Sequence, residues 1–415
     1  MAIIAVYHDS CFIKPRNNLL QLLNMEIIQR ITKLFSETFG GTPAHIVRAP
    51  GRVNLLGEHV DYNDGLVMPA AIDRATYIAF SPADSSQTTL VAVDMDQRAS
   101  FSPSTIASKT QTDASALPDW AQYPAGVMWA LREDRLDTPA LKAVYASNVP
   151  RGSGLSSSAS VEMAFMMAWQ TLASWTLPPM QRALLGQKAE NQYVGVNCGI
   201  MDQFASACGV ENNLLLLDCR SLKWKTIPLP EDIAIVVADT TVRRKLTSGE
   251  YNKRRAACEE AVRLLQKDLP NVQSLRDVSL QDFNRYAAKL PDEVSRRARH
   301  VVEEIERSKQ AEALLEAGNI QKFGELMNEC HISLRDLYEV SCPELDIMVG
   351  VAQSLEGCYG ARLTGAGFGG CTVNLVAREM ADQFASSIAR GYESKTGLKP
   401  EIYITRASNG TELLT

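Results

Sequence analysis

Pro150-Arg151-Gly152-Ser153-Gly154-Leu155-Ser156-Ser157-Ser158-Ala159-Ser160-Val161-Glu162-Met163-Ala164 is the stretch on which the reading of this chain turns. Gly152 and Gly154 carry no Cβ, so the backbone can take positive φ there and approach a ligand closely. Ser156, Ser157 and Ser158 add hydroxyl donors and acceptors. From Ala159 onward the apolar spacing becomes helical, with Val161, Ala164, Phe165 and Ala168 recurring three and four residues apart. The loop therefore opens onto a helix N-terminus, whose unpaired N–H groups and dipole suit a phosphate. The simpler alternative is a Ser-rich turn with an N-cap, although one hydroxyl would be enough for a cap. The stretch is not a Walker A loop, because no Lys follows Gly154. Nor is it a dinucleotide-binding turn, because Ser157 stands where a third glycine is needed. An anion held here is met by backbone, hydroxyls and a metal, with little help from a loop cation.

Outward from this stretch, 415 residues suggest two or three domains. Hydrophobic residues make up 46% and charged residues 22%, ordinary values for a globular protein. The net charge of −6 comes without a basic tract, which argues against duplex nucleic acid as a partner. Nine cysteines, an odd number with no C-x-x-C pair, argue against a disulfide framework and a zinc site, and for a reducing cytoplasm. No run is long and apolar enough to span a bilayer; the segment near Met163 to Leu172 reads as a buried core helix. The first 24 residues lack the pattern of a signal peptide, and the folded unit is expected to start near Met25.

In chain order, a helix is expected from about Met25 to Phe39, closed by Gly40-Gly41. Two short strands, Ala44–Arg48 and Arg52–Leu56, are expected around a turn at Ala49-Pro50-Gly51. Gly57-Glu58-His59-Val60-Asp61-Tyr62-Asn63-Asp64-Gly65 then places three ionisable side chains within four residues, beside a turn. A solvated turn is the plain reading of Glu58, His59 and Asp61; Arg52 just upstream, flanked by core strands, points instead to a site. The His-x-Asp spacing leaves a metal site open, without a second ligand cluster to support it. Further strands are expected through Ala71, over Thr76–Phe80 and near Thr89–Val93. Trp120 starts a short helix and is either core or one wall of a base pocket. A strand over Leu141–Ala146 leads into the serine loop, and a helix over about Gln181–Tyr193 carries Glu190. Asp202 lies among Ile200, Met201, Phe204 and Ala205, where a carboxylate is costly unless partnered; it is either a helix cap or a working group. Leu214–Asp218 and Ile233–Ala238 read as apolar strands. A composition shift after Leu222 marks a second domain, helical from about Tyr251 to Ser354. Its charge runs (Arg296, Arg297, Arg299; Glu303, Glu304, Glu306) are expected on solvated faces. Gly365, Gly367 and Gly370 match G-x-G-x-x-G, but Thr372–Val376 alternates like a strand. A glycine turn between strands, able to pack against the serine loop, is the better reading. A helix over Met380–Lys395 and a strand over Glu401–Thr405 close the layer.

Four ordered motifs carry a family resemblance. R-A-P-G-R-V-N-L-L-G-E-H-V-D-Y-N at Arg48–Asn63 resembles the galactokinase signature, and P-R-G-S-G-L-S-S-S-A-S resembles the second motif of the wider GHMP kinase superfamily. C-G-I-M-D-Q at Cys198–Gln203 and R-L-T-G-A-G-F-G-G-C at Arg362–Cys371 are similar to galactokinase segments. The resemblance covers the chain from Met25 to Arg406. It implies an α+β, two-domain GHMP kinase fold of bacterial type, with mixed and antiparallel sheets, packed helices and the active site in the interdomain cleft. The expected division is a loose extension over 1–24, a sugar- and ATP-binding domain over 25–222 and a C-terminal GHMP kinase domain over 223–415.

The resemblance further implies ATP-dependent phosphorylation of α-D-galactose at the C1 hydroxyl. By position, Asp202 would be the general base, and Arg52 would hold it ionised and stabilise developing charge. Glu58, His59, Val60, Asp61, Gly199 and Tyr251 would form the sugar site. Gly152, Ser153, Gly154, Leu155, Ser156, Ser157 and Ser158 would wrap the ATP phosphates, with Trp120 beside the base. Ser158 and Glu190 would hold Mg2+. Val60 replaces a threonine common in the family, and Ala366 replaces a frequent glycine, tolerable only where φ is negative. A cytoplasmic monomer is expected, with galactose and ATP as its partners. A kinase for a related sugar such as N-acetylgalactosamine and a catalytically silent galactose sensor are the alternatives; silent relatives lose serine-loop residues, and here Ser158-Ala159 is intact.

Overall fold

The computed structural model describes residues 17–243 and 247–415. In chain order the elements are α1 (Asn17–Phe39), β1 (His45–Asn54), β2 (Leu66–Val67), β3 (Pro69–Pro82), β4 (Thr88–Ala92), β5 (Gln97–Phe101), α2 (Gln122–Glu133), β6 (Leu141–Ser147), α3 (Ser157–Ala173), α4 (Pro179–Lys188) and α5 (Met201–Cys208). They continue with β7 (Asn213–Asp218), β8 (Trp224–Pro228), β9 (Ile233–Asp239), α6 (Thr247–Leu265), α7 (Leu280–Tyr286), α8 (Asp292–Glu316), α9 (Ile320–Asp336) and α10 (Pro343–Gln353). Then come β10 (Cys358–Leu363), β11 (Cys371–Ala377), α11 (Ala381–Thr396), β12 (Glu401–Thr405) and β13 (Glu412–Leu413).

Three sheets organise these elements. The largest has the order β13-β1-β3-β6-β4-β5, antiparallel except where β4 runs parallel to β6. A four-stranded antiparallel sheet has the order β10-β11-β9-β12, and a small one pairs β2-β7-β8. The last strand thus returns to the first sheet, where Val47 faces Leu413. β9 reads I-A-I-V-V-A-D and is buried at every position because it lies between β11 and β12. α3 packs on β1 and β3 and is apolar nearly all round, so Met163, Phe165, Met166 and Trp169 are all buried. The largest apolar cluster is continuous from the first sheet through α3 to α6, α8 and α9.

Several expectations change. The two strands around Ala49-Pro50-Gly51 are one strand, β1, with a register shift between Pro50 and Arg52. Pro50 has no N–H to offer a ladder, so it sits at the bulge rather than at a turn. Gly51 is needed there, since a Cβ would lie 2.6 Å from the Leu155 carbonyl oxygen. α1 begins at Asn17, ahead of Met25, and Asn148 donates to the Asn24 side chain at 3.0 Å; residues 1–16 lie outside the described residues. β5 and β8 were not expected as strands. The helix carrying Glu190 ends at Lys188 and passes into a wide π-type turn over Ala189–Val194. The charge runs of α8 are not all solvated: Arg297 is 2% exposed and Glu304 is 0% exposed. The glycine segment after β10 is a turn between strands, as read from the sequence, and Ala366 keeps negative φ.

Candidate functional site

The serine loop is held by the glycine turn between β10 and β11. The Ser153 carbonyl accepts the Cys371 N–H at 2.9 Å. A Cβ on Gly154 would lie 2.5 Å from the Thr364 carbonyl oxygen, and one on Gly370 would lie 2.4 Å from that of Ser153. Two backbones in contact leave no room for side chains, which explains glycines on both sides. Ser156, at the N-cap of α3, takes left-handed φ of 60° and makes no side-chain cap; its hydroxyl is buried without a partner among the described residues. The simple N-cap reading of the serines therefore fails. Ser153 turns inward, its hydroxyl donating to the Pro150 carbonyl at 2.7 Å, and Leu155 is core, so these two offer a ligand only backbone. Gly152, Ser157 and Ser158 face a cavity of about 320 Å³.

The same cavity collects Arg52 from β1, Glu58, His59 and Asp61 from the following loop, Glu190, Gly199, Asp202 from α5 and Tyr251 from α6. Arg52 is buried; its Nε lies 2.9 Å and its Nη2 2.6 Å from Asp202 Oδ1, while Nη1 bonds the Gly154 carbonyl. The bulge in β1 also lets Arg52 N–H reach the Leu155 carbonyl at 3.1 Å. One residue thus ties the serine loop to the carboxylate. Asp202 lies inside the first turn of α5, whose N-cap is Ile200, so it is not the cap.

On the opposite wall, His59 takes φ of 62°, its Nδ1 is 2.8 Å from the Tyr62 hydroxyl, and its Nε2 is buried without a partner among the described residues. Burial, then the neighbouring His300, push its pKa well below the usual imidazole range, so the ring is neutral. It lies 5.5 Å from the Tyr251 ring. Asp61 is pushed up to about 7 by burial and then by Asp202. Its Oδ2 accepts the Met201 N–H at 3.4 Å and lies against Gly199, where a Cβ would sit 2.0 Å from it. Glu58 is raised by burial and eased by Arg362, which bonds its Oε2 together with the Gly365 N–H at 3.1 Å. Val60 does not join them. Its side chain is wholly buried against Gly65, so a hydroxyl lost there leaves the cavity wall unchanged.

Next to Ser158 the cavity wall is acidic. Gln203 Nε2 donates to Glu190 Oε2 at 2.6 Å and to Glu162 Oε2 at 2.8 Å. Burial, then Asp202, raises Glu190, while the Ser158 hydroxyl beside it works the other way; Glu162 is raised by burial and by Glu190. Two buried carboxyls this close call for positive charge or shared protons. Ser158 and Glu190 offer an all-oxygen donor pair, and the buried Glu162 Oε1 beside them is unpaired among the described residues. That set fits Mg2+, which accepts few protein oxygens and keeps the rest for phosphate and water. Among the described residues no group of three or more His, Cys, Asp or Glu is placed to hold a metal, so the His59-x-Asp61 spacing gains no further ligands.

Trp120 lies in a second, adjoining cleft of about 660 Å³ with Arg74, Asp94, Tyr123, Tyr145 and Ser157. Its indole N–H donates to Gln97 at 2.6 Å and its ring is 5.9 Å from that of Tyr145. It is a half-buried wall, not core. Sequence reading missed Arg243, whose Nε donates to the Arg151 carbonyl at 2.9 Å while Asp239 holds its other nitrogens. It also missed Tyr62, Glu162, Gln203 and Arg362 as site residues. Tyr62, Gln203 and Arg362 lie within quoted motifs and Glu162 in the stretch after the serines, which was the available signal; nothing local marks Arg243. The eight described cysteines carry free thiols, and no described helix is long and apolar enough to cross a membrane.

The chain is similar to known proteins in both sequence and fold. A family model described as the galactokinase galactose-binding signature matches residues 33–82, the GHMP kinases N terminal domain matches 122–210, and the GHMP kinases C terminal matches 311–394. The chain is 46% identical over 376 residues to a galactokinase of Roseiflexus sp. (strain RS-1), covering 91% of this chain and 94% of the relative. A galactokinase of Chloroflexus aggregans is 44% identical, over 92% of this chain and 97% of its own. Among solved structures, Lactococcus lactis galactokinase complexed with galactose superimposes with a TM-score of 0.88 at 34% identity, covering 93% of this chain and 99% of that one. The mevalonate kinase of Methanococcus jannaschii, at 19% identity and a TM-score of 0.61 over 88% of this chain and 99% of its own, shares the fold.

Proposed function

This chain belongs to the galactokinase family, and we infer that it transfers the terminal phosphoryl group of ATP to the C1 hydroxyl of α-D-galactose, giving galactose 1-phosphate. One observation carries the reading: the Arg52–Asp202 pair, 2.6 Å apart, faces the cavity between the serine loop and the Glu58–Asp61 loop. Phosphoryl transfer asks a protein mainly for positioning and charge stabilisation. A sugar hydroxyl is a weak nucleophile, and a carboxylate beside it takes its proton as transfer proceeds. Asp202 has that role. Arg52 fixes the carboxylate and, through the Gly154 carbonyl, couples it to the phosphate loop.

Glu58, His59 and Asp61, with Gly199 and Tyr251, grip the sugar hydroxyls. An epimer that left one of these buried polar groups unpaired would lose affinity. The N–H groups of Gly152–Ser158 and the N-terminus of α3 hold the ATP phosphates, and the base lies in the cleft beside Trp120. Ser158 and Glu190 hold Mg2+, which when bound neutralises phosphate charge. The sugar- and ATP-binding part runs to about Leu222, with β13 returning to it from the C-terminal part. A cytoplasmic monomer belongs to the same proposal.

A coupled ADP-release assay with galactose, glucose and N-acetylgalactosamine tests the substrate, with turnover expected on galactose alone. Preferential turnover of N-acetylgalactosamine would make this a kinase for that sugar. Tight galactose and ATP binding without product would make it a silent sensor. Asp202→Asn is expected to keep ATP binding and lose about 10²- to 10⁴-fold in kcat; near-normal turnover would remove Asp202 as base.

A further inference from the structure

Helix α8 carries two wholly buried polar residues that no step above uses, His300 and Glu304. Glu304 Oε1 accepts the backbone N–H of Gly57 at 2.8 Å and of Glu58 at 3.3 Å, and the Cys330 thiol donates to it at 3.0 Å. Its Oε2 takes the Arg307 Nε at 2.8 Å. His300 Nε2 lies 3.2 Å from the Glu58 carbonyl oxygen, and its Nδ1 lies 2.8 Å from the Ser333 hydroxyl. The Glu58 carboxylate is held from the same side by Arg362 and the Gly365 N–H. The N–H, the carbonyl and the carboxylate of Glu58 are thus all taken by residues more than 240 positions away in sequence.

The segment so held does not favour its own conformation. Gly57 takes φ of 86°, which glycine accepts, but His59 takes φ of 62°, a region that residues with a Cβ avoid. Outside contacts fix it, and those to the Gly57–Glu58 backbone come from α8. Burial alone would raise Glu304, but Arg307, then His300 and Arg362, hold it at about 2, so it accepts both N–H bonds as a charged group.

The geometry points to Glu304, seconded by His300, as a positioning residue for sugar recognition: it holds the Gly57–His59 backbone in the shape that aims Glu58 and His59 into the cavity. The inference rests on the sugar-site reading above. It differs from a purely structural role in acting on one substrate only, since α8 supplies no residue to the serine loop or to the cleft beside Trp120.

The test is galactose and ATP binding, with steady-state kinetics, for the wild type and for Glu304→Gln. The amide keeps the volume, but a neutral oxygen serves the two N–H groups, Cys330 and Arg307 less well. Buried hydrogen bonds to charged groups predict a rise of about tenfold or more in galactose Kd and KM. The KM for ATP should stay within about twofold, and kcat at saturating galactose should be largely kept. Unchanged galactose affinity in the folded variant, or equal rises in both KM values, would overturn the inference. If Glu304→Gln does not fold, His300→Asn decides on the same readouts. If neither folds, the inference falls, because the contacts then serve the fold. A wild type that binds no galactose would defeat the sugar-site reading itself; a wild type that binds and a variant that binds equally would defeat only this inference.

Discussion

Gly199→Ala perturbs the sugar wall through one atom. Gly199 is not in the left-handed region, so the backbone accepts alanine, but the new Cβ would lie 2.0 Å from Asp61 Oδ2 and 2.1 Å from its Cγ. To reach an ordinary contact of about 3.4 Å the carboxylate must retreat by about 1.4 Å. That breaks its bond to the Met201 N–H and moves it off any sugar hydroxyl. Above the pH of about 7 at which Asp61 ionises, a lost hydrogen bond to the charged group is worth about 1.5–3 kcal/mol, which predicts about a 10- to 150-fold rise in galactose Kd and KM. The serine loop is on another wall, so the KM for ATP should hold within about twofold. The assay is initial-rate kinetics with each substrate varied at saturation of the other, with calorimetry for galactose alone. A double-mutant cycle sharpens it: with Asp61→Ala there is nothing to displace, and adding Gly199→Ala should cost nothing more. A Gly199→Ala enzyme with galactose KM within about twofold of wild type, or additive effects in the cycle, would refute the reasoning.

Three other perturbations read different parts of the site. Gly154→Ala places a Cβ at φ of 83° and 2.5 Å from the Thr364 carbonyl oxygen; the left-handed cost alone is about 1–2 kcal/mol. A lower melting temperature and weaker ATP binding should follow, and wild-type values of both would contradict the loop-on-turn packing. Asp61 titrates at about 7 when folded against an ordinary 3.8, so the folded state binds more protons between those values. Ligand-free stability should therefore fall as pH rises from about 4 to 7, by up to about 4 kcal/mol, less where cavity water reaches the carboxylate. Asp61→Asn should flatten that fall in melts taken across the range, and an unchanged slope would count against it. Chelating divalent cations should stop transfer, and Glu190→Gln should raise the Mg2+ needed for half-maximal rate about tenfold without moving galactose affinity; equal Mg2+ demand would free Glu190 from that duty.

The local signals and the long-range ones separate cleanly in this chain. The serine loop, the helix after it and the apolar strands β7 and β9 are written in neighbouring residues, because glycine freedom, hydroxyl content and periodicity act over a few positions. Arg52 and Asp202 each stood out alone, as charges in apolar company. That they meet, 150 residues apart, was decided by the bulge at Pro50-Gly51, which brings β1 under the loop. The same holds for errors. Glu304 reads as one of a run of charges on an amphipathic helix, and only the packing of α8 against the Gly57–Glu58 backbone makes it an interior group. Val60 reads as part of the sugar motif, and the positive φ of His59 before it helps turn it inward.

The sequence by itself determined the two glycine loops, the helix that opens at the serines and the acidic segment beyond Arg52, since each follows from the chemistry of adjacent residues. The tertiary structure decided which of these side chains share a cavity, which carboxylates are paired and which are crowded together, and which residue of a motif faces away. Those outcomes depend on burial and on partners distant along the chain, and neither is a property of any short stretch.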